Sequence, residues 1–206
     1  DYLRTLDDAA LISLFAHRPD LITPVPPDVA SLAVRASSAP SLARAIDALN
    51  AWQYQVLEAC AIAAEPFTEK TIAALTDKAA LFVLPGLLER GLIFQGKDGF
   101  YLPTTVREVL GNEIQGLGPQ TVVKLNLKKL DEAPPAAKKA LDAMVWGPPR
   151  GTVADLNKPG AGVAWLLENN FVVAANTKRV LLVREVAIAL RGGKLHKELQ
   201  IQAPVL

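Results

Sequence analysis

Few residues in this sequence could carry out catalysis or hold a metal ion or nucleotide. The stretch from Gly91 to Lys97 (GLIFQGK) has the spacing of a phosphate-binding loop, but Asp98 stands where that loop needs a Ser or Thr for magnesium. Such a loop must also lead into a helix, whereas its second glycine here falls in a predicted hairpin turn. Two histidines, His17 and His196, and one cysteine cannot build a typical zinc site. We therefore expect a protein that is not an enzyme and that holds no metal or cofactor.

The single cysteine and the hydropathy pattern favour a cytoplasmic protein. Cys60 lies in the apolar run from Val56 to Ala63, which favours a buried structural thiol over a nucleophile. One cysteine permits no internal disulfide, which suits a reducing cytoplasm. No apolar stretch approaches the ~18 residues needed to span a bilayer, and no basic-then-apolar leader is present. We expect no membrane contact, and a chain that starts at Asp1 without methionine suggests a fragment of a longer protein.

Charge is divided unevenly along the chain. Residues 1–119 hold 9 Lys and Arg against 14 Asp and Glu, while residues 120–206 hold 13 against 7. This asymmetry predicts that the C-terminal half contacts a polyanion such as DNA, and that the acidic N-terminal half contacts a protein partner. A cation near a phosphate adds salt-sensitive affinity without reading sequence. Seven basic residues are the candidates for nucleic-acid binding: Arg150, Lys158, Lys178, Arg179, Arg191, Lys194 and Lys197. The alternative is that these are ordinary solvated charges.

One stretch of sequence occurs twice and defines the elements that position these residues. The block Leu87 to Phe94 (LLERGLIF) begins 79 residues before the block Leu166 to Val173 (LLENNFVV), and each is followed by a Val-Arg-Glu-Val tetrapeptide. A Leu-Leu pair at helical spacing, followed by residues of strand type, predicts a helix end, two strands and a further helix. Gly91 and Asn170 stand where each helix must stop, and both residue types tolerate a left-handed conformation.

We predict a mainly α protein with small β-hairpins, in which tandem winged-helix domains are preceded by a helical segment. Residues 1–50 form the helical lead-in, residues 51–118 the first winged helix, and residues 119–206 the second winged helix with a basic C-terminal tail. In the lead-in, Thr5 is expected to cap a helix from Leu6 to His17.

The first winged helix is predicted to contain four helices and one hairpin. Its elements are Trp52 to Ala64, a short bridge strand Pro66 to Thr68, Glu69 to Leu75, Lys78 to Arg90, the strands Leu92 to Gln95 and Phe100 to Leu102, and Thr104 to Leu110. A winged helix normally presents its third helix to the DNA major groove. Here that helix, Lys78 to Arg90, is apolar on nearly all faces, so it should be buried. This unit is therefore interpreted as a packing or docking module.

The second winged helix carries the basic candidates. Its predicted elements are a strand Thr121 to Leu127, a helix capped by Asp131 and ending at Val145, a short helix Thr152 to Leu156, a helix Gly162 to Asn169, the strands Phe171 to Ala174 and Arg179 to Val183, and a helix Arg184 to Leu190. The tail from Lys194 to Leu206 is expected to be mobile, with His196 facing water. Trp146 and Trp165 are interpreted as core anchors.

Three stretches of this half resemble the bacterial helicase-associated domain proteins. They are Trp146 to Pro149, Val163 to Leu167, and above all Leu182 to His196, which contains Arg-Glu-Val and Leu-Arg-Gly-Gly-Lys-Leu-His. The opening residues, from Leu3 to Pro26, are similar to the start of the same proteins. The resemblance implies a DNA-binding accessory protein without its own ATPase, linked to DNA repair or transcription. It further implies that the chain precedes a portion that resembles the N-terminal domain of the xeroderma-pigmentosum-group-B type helicase. Asn169-Asn170 departs from the basic residue and glycine expected there.

The sequence thus favours a non-catalytic DNA-binding accessory module of a helicase-associated protein, which contacts the phosphate backbone through its second winged helix and is associated with the nucleoid. The alternative is a protein–protein interaction scaffold built from winged helices. A third possibility, a ligand-responsive repressor, lacks an evident effector pocket or dimerisation helix in the sequence.

Overall fold

The computed structural model describes residues 2–202, which fold mainly as α-helices with two small antiparallel sheets of two and three strands. The fold class predicted from the sequence is thereby confirmed, while the winged-helix arrangement stays a prediction. Two compact units are present: residues 113–197 form one, and residues on either side of that range, 2–112 and 198–202, form the other. The helical lead-in therefore lies in the same unit as the first hairpin. The sequence-based boundaries were 50/51 and 118/119.

Three helices form the beginning of the first unit: α1 (Asp8–His17), α2 (Val29–Ala36) and α3 (Ala39–Asp47). The prediction that Thr5 caps the first helix is wrong. Asp7 is the cap, and its Oδ1 accepts a 2.8 Å hydrogen bond from the backbone N–H of Ala10. Thr5 instead ends a short 3-10 helix. An Asp at the cap also places negative charge at the positive end of the helix dipole, which a threonine cannot do.

The rest of the first unit comprises α4 (Ala51–Ile62), α5 (Glu69–Leu75), α6 (Leu84–Glu89), α7 (Thr104–Leu110) and the hairpin strands β1 (Phe94–Gln95) and β2 (Phe100–Tyr101). The predicted single helix from Lys78 to Arg90 is wrong, because a 3-10 helix, Lys78–Phe82, precedes α6. Proline lacks the N–H needed in a helix interior, so Pro85 is accommodated only in the first turn of a new helix. The predicted bridge strand is present as an isolated bridge between Phe67 and Phe100.

The two copies of the repeated sequence end their helices in the same way. Gly91 has φ +63° and Asn170 has φ +58°, which confirms that both positions are left-handed. The N–H of Leu92 donates to the carbonyl of Leu87 (3.0 Å), and the N–H of Phe171 donates to that of Leu166 (2.9 Å). A hydrogen bond that spans five residues across a left-handed position is the mark of the Schellman motif. Similar sequence therefore produces the same helix stop and the same hairpin start in both units.

The second unit contains α8 (Pro135–Met144), β3 (Arg150–Thr152), α9 (Ala161–Glu168), β4 (Val172–Asn176), β5 (Arg179–Leu182) and α10 (Arg184–Leu190). Helix α9, the hairpin and α10 were predicted, and they are confirmed to within two residues at each end. The strands lie in the order β3-β5-β4, all antiparallel. The buried side of this unit includes Ala137, Leu141, Met144, Leu166, Phe171, Val180, Leu182 and Val186.

Two predicted elements of the second unit are wrong, and the start of a third, the helix that ends at Val145, is misplaced. Residues 121–127 form no strand, since the chain there is irregular and leads into a 3-10 helix, Leu127–Glu132. Asp131 belongs to that 3-10 helix, and α8 begins after Pro134. The predicted helix Thr152 to Leu156 is replaced by the end of β3 and a turn. The N–H groups of Val153 and Leu156 there donate to the carbonyls of Lys178 and Thr177 instead of forming helical hydrogen bonds.

The expectation of a mobile tail is also wrong over most of its described length. Leu195 is fully buried, and His196, which was expected to face water, is buried as well. Further on, the side chain of Gln55 in α4 binds the backbone of Glu198 and Gln200. The last four residues of the predicted tail, 203–206, lie outside the described residues. No helix in the range 2–202 combines the length and the apolar composition needed to cross a membrane.

Candidate nucleic-acid interface

The three-stranded sheet of the second unit has one buried face and one exposed face. Successive residues of a strand point to opposite sides of a sheet. Val172, Val180 and Leu182 point to the buried side. Arg150 pairs with Leu181 and Thr152 pairs with Arg179, so both arginines point to the opposite, exposed side. They occupy diagonal positions on neighbouring strands, for which the usual spacing is about 7–8 Å.

The tip of the β4–β5 hairpin brings two further candidates to this end of the unit. The side chain of Asn176 accepts a 2.9 Å hydrogen bond from the N–H of Lys178, which fixes the turn. The carbonyl of Thr177 accepts from the N–H of Leu156, and the carbonyl of Lys178 accepts from the N–H of Val153, both at 2.9 Å. The loop that carries Lys158 therefore starts alongside the hairpin tip. Lys158, Lys178 and Arg179 are all exposed.

Two carboxylates lie near these cations. Arg150 forms an ion pair with Glu113, with Nη2 at 3.0 and 3.2 Å from the two carboxylate oxygens, and both side chains are about half exposed or more. Asp155, in the loop, instead accepts hydrogen bonds from the backbone and the side chain of Asn157. An exposed ion pair contributes only ~0–1 kcal/mol, so Arg150 can exchange Glu113 for a phosphate at little cost. Within residues 2–202, Lys158, Lys178 and Arg179 form no ion pair.

Arg191 was predicted to bind nucleic acid, and the structure contradicts this. Its side chain is buried and donates three hydrogen bonds to backbone carbonyls: Nε to Val145 (2.9 Å), Nη1 to Leu195 (3.0 Å) and Nη2 to Gln115 (2.9 Å). The guanidinium also lies 4.3 Å from the ring centre of Trp146, in a cation–π contact. Burial lowers the pKa of Arg191. Arg191 therefore joins three segments of the second unit, and its burial keeps the guanidinium away from a phosphate at the surface.

Lys194 and Lys197 are exposed, but they belong to the segment after α10 and not to the sheet. Gly192 (φ +70°) and Gly193 (φ +83°) turn the chain there, and the buried side chains of Leu195 and His196 fix the segment. The structure thus brings together Arg150, Lys158, Lys178 and Arg179 out of the seven predicted residues. Lys194 and Lys197 stay candidates on a separate segment.

Sequence reasoning missed five other exposed cations of the second unit. They are Lys124, Lys128, Lys129, Lys138 and Lys139. Lys124 precedes the 3-10 helix Leu127–Glu132, and Lys128 and Lys129 lie within it. The segment before that helix also exposes Val122 and Val123. The spacing Lys-x-x-x-Lys-Lys, taken by itself, would have indicated a basic surface segment.

The fold and the exposed cations define a mainly helical chain with a small basic sheet in one of its two units. Comparisons with protein-family models, with curated proteins and with solved structures gave no match for this chain. The family resemblance and the function therefore stay predictions.

Proposed function

We propose that the second unit is a non-catalytic module that binds the phosphate backbone of DNA through the exposed face and the hairpin tip of its three-stranded sheet. The proposal depends on one observation above all: Arg150 and Arg179 lie on the same exposed face of a sheet whose other face is buried. Lys178 at the tip and Lys158 in the adjoining loop extend this basic surface. The unit as a whole carries 13 Lys and Arg against 7 Asp and Glu.

Each of these groups has a defined role in such a contact. Arginine presents a planar set of donors that can bind two phosphate oxygens at once, whereas lysine acts as a point charge. Arg150 would leave Glu113 and turn to a phosphate oxygen. Arg179, on the neighbouring strand β5 of the sheet, would bind a second phosphate. Phosphate contacts fix register and orientation but do not read bases, so the binding should be weakly sequence-specific.

The family resemblance extends this proposal to the protein's setting. Under it, the chain is a winged-helix accessory module of a helicase-associated protein, active at the bacterial nucleoid in DNA repair or transcription. The order helix, hairpin, helix in both copies of the repeat supports tandem winged helices, and the hairpin tip at Lys178 corresponds to the wing. A wing contacts the backbone or the minor groove, as the exposed cations require.

The test is a titration of a fluorescent DNA duplex with the full chain at several salt concentrations. We expect Lys178→Ala/Arg179→Ala to weaken binding and to lower the slope of log affinity against log salt by about 2, because each phosphate contact contributes roughly 0.9. The matched control is Lys70→Ala/Lys97→Ala, which removes the same charge from exposed positions of the first unit, Lys97 being at the tip of its own hairpin. This control should keep the slope of the wild type.

Two results would contradict the proposal. Equal losses in the two double variants would show that overall charge, and not the sheet surface, governs binding. Absence of binding to single- and double-stranded DNA at low salt would favour the second candidate function, a protein-interaction scaffold.

The scaffold has a specific observation of its own. Gln55 in α4 donates from Nε2 to the carbonyl of Glu198 and accepts at Oε1 from the N–H of Gln200, both at 2.8 Å. The side-chain amide therefore pairs with a carbonyl and an N–H two residues apart, as the backbone of a neighbouring strand would. We infer that the same side chain can pair with the backbone of a partner's segment instead.

A further inference from the structure

The first unit contains a cavity of about 280 Å³ between α1, α2, α3 and the start of the first hairpin. Most of its wall is apolar, and it includes Leu3, Leu14, Ala33, Leu42 and Phe94. Four of its lining residues also border a second cavity of about 130 Å³: Tyr2, Leu3, Leu14 and Gly91. Apolar walls with a few convergent polar groups are the usual composition of a small-molecule site.

One cation stands in this apolar wall. Arg18 lines the cavity and is only 2% exposed. Its Nη2 donates to the carbonyl of Ala36 (2.8 Å) and to the hydroxyl of Ser41 (2.6 Å), whereas Nη1 has one long contact of 3.4 Å to the carbonyl of Arg90. Its Nε is buried and has no hydrogen-bond partner among residues 2–202. The guanidinium therefore uses only part of its five donor hydrogens.

Nη1, which has only the long contact to Arg90, lies beside the cavity wall. Nη1 is 3.6 Å from the point where a Cβ on Gly91 would stand, and Gly91 is itself part of the cavity wall. Gly91 has φ +63° and no side chain, so nothing at this position stands between Arg18 Nη1 and the cavity. A larger residue at this position would separate Nη1 from the cavity.

The positive charge of Arg18 has no direct carboxylate partner in the described part of the chain. The nearest carboxylate is that of Asp20, which accepts a hydrogen bond from the Ser41 hydroxyl, so Ser41 stands between the two charges. Burial lowers the pKa of Arg18, and Asp20 only partly opposes this effect. Buried charges in proteins are usually paired directly, because removal from water is costly. An anion in the cavity would complete the pairing.

We propose that this cavity binds a small organic monocarboxylate with an apolar tail. The carboxylate accepts hydrogen bonds from Arg18 Nη1, while the tail packs against Leu14, Leu42 and Phe94. The cavity volume lies at the small end of the range for ligand sites, so the ligand is a medium-chain or small aromatic acid. This site lies wholly in the first unit and is independent of the proposed DNA contact.

The test compares three probes of equal chain length: octanoate, 1-octanol and octylamine. Binding is followed by titration with methyl NMR spectra of the full chain, in which the methyl groups of Leu14 and Leu42 report on the cavity. We expect octanoate to shift these methyl signals and to bind at least about tenfold more tightly than 1-octanol, the difference expected for one charge-assisted hydrogen bond. Octylamine should bind more weakly still, because its cation would face Arg18.

Two variants on one helix locate the site. Ala33→Phe places a ring in the cavity without touching Arg18 and should abolish octanoate binding. Ala30→Phe changes an exposed position of α2 outside the cavity and should bind as the wild type does. Arg18 itself is not substituted, since its hydrogen bonds join α1 to the ends of two other helices.

The proposal is overturned if octanoate causes no shift of the Leu14 and Leu42 methyl signals up to its solubility limit. It is also overturned if octanoate and 1-octanol bind equally well, or if octanoate binds to Ala33→Phe as tightly as to Ala30→Phe. Should Ala33→Phe fail to fold, the comparison of octanoate with 1-octanol on the wild type decides by itself.

Discussion

Substitution of Arg191 should destabilise the second unit, because its side chain is buried and hydrogen-bonded. Of its three hydrogen bonds, the one to Leu195 is buried and the ones to Val145 and Gln115 are partly buried. Losing a buried bond from a charged donor costs ~1.5–3 kcal/mol, and water can replace part of the other two. Loss of the contact with Trp146 adds ~0.5–2 kcal/mol. We expect Arg191→Ala to lower the free energy of unfolding by about 3 kcal/mol.

The measurement is urea unfolding of the full chain, followed by tryptophan fluorescence. Trp146 lies against Arg191, so its emission reports on this part of the second unit. Arg191→Lys should fall between the wild type and Arg191→Ala, since an ammonium keeps the charge but cannot supply three donors in one plane. Arg179→Ala, at an exposed position, should stay within about 0.5 kcal/mol of the wild type. If Arg191→Ala is as stable as Arg179→Ala and yet binds DNA less well, Arg191 lies on the surface and the reasoning is refuted.

Three other predictions concern single positions. Gly162→Ala should destabilise the second unit by at least about 1 kcal/mol, because its Cβ would lie 2.8 Å from the backbone of Ala136, whereas Gly160→Ala has open space and should be neutral in the same urea assay. Burial raises the pKa of the Cys60 thiol, so above pH ~8.5 the unfolded chain loses a proton that the folded chain keeps. The free energy of unfolding should therefore fall as the pH rises above that value. The native thiol should also resist an aromatic disulfide reagent until urea is added. In Gln55→Glu a carboxylate oxygen replaces the amide donor and repels the carbonyl of Glu198, which should push the segment away and speed hydrogen exchange at Gln200. Unchanged exchange would contradict the contact.

Local sequence was sufficient for the features that depend on neighbouring residues. The positions of Gly91 and Asn170 predicted where two helices stop, because only a residue that tolerates positive φ can close a Schellman motif. The hairpins that follow were predicted from the residues of strand type that come after each helix end. The cap of α1 was misplaced by two residues because Thr5 and Asp7 are both acceptable caps, and only the folded chain selects between them.

Features that depend on distant residues could not be predicted in this way. Arg150 to Thr152 is a strand because β5 pairs with it, and β5 is 27 or more residues further along the chain. The burial of Arg191 depends on carbonyls at Val145 and Gln115, which lie 46 and 76 residues earlier. The cavity near Arg18 requires three helices and a hairpin to meet, so the sequence indicated no effector pocket.

Arg179 and Arg191 show why a list of basic residues is not yet a binding site. They have the same side chain, lie 12 residues apart and looked equivalent in the sequence, but one faces solvent from a strand and the other is surrounded by carbonyls. Arg179→Ala should therefore weaken DNA binding under all conditions, whereas Arg191→Ala should weaken it only where part of the protein is unfolded. In Arg179→Ala the loss should persist while the protein is fully folded and should lower the salt dependence. In Arg191→Ala the loss of DNA affinity should be proportional to the unfolded fraction, and the salt dependence of the folded protein should stay unchanged. A DNA-binding surface in this chain is established only by variants whose folded fraction has been measured alongside their affinity.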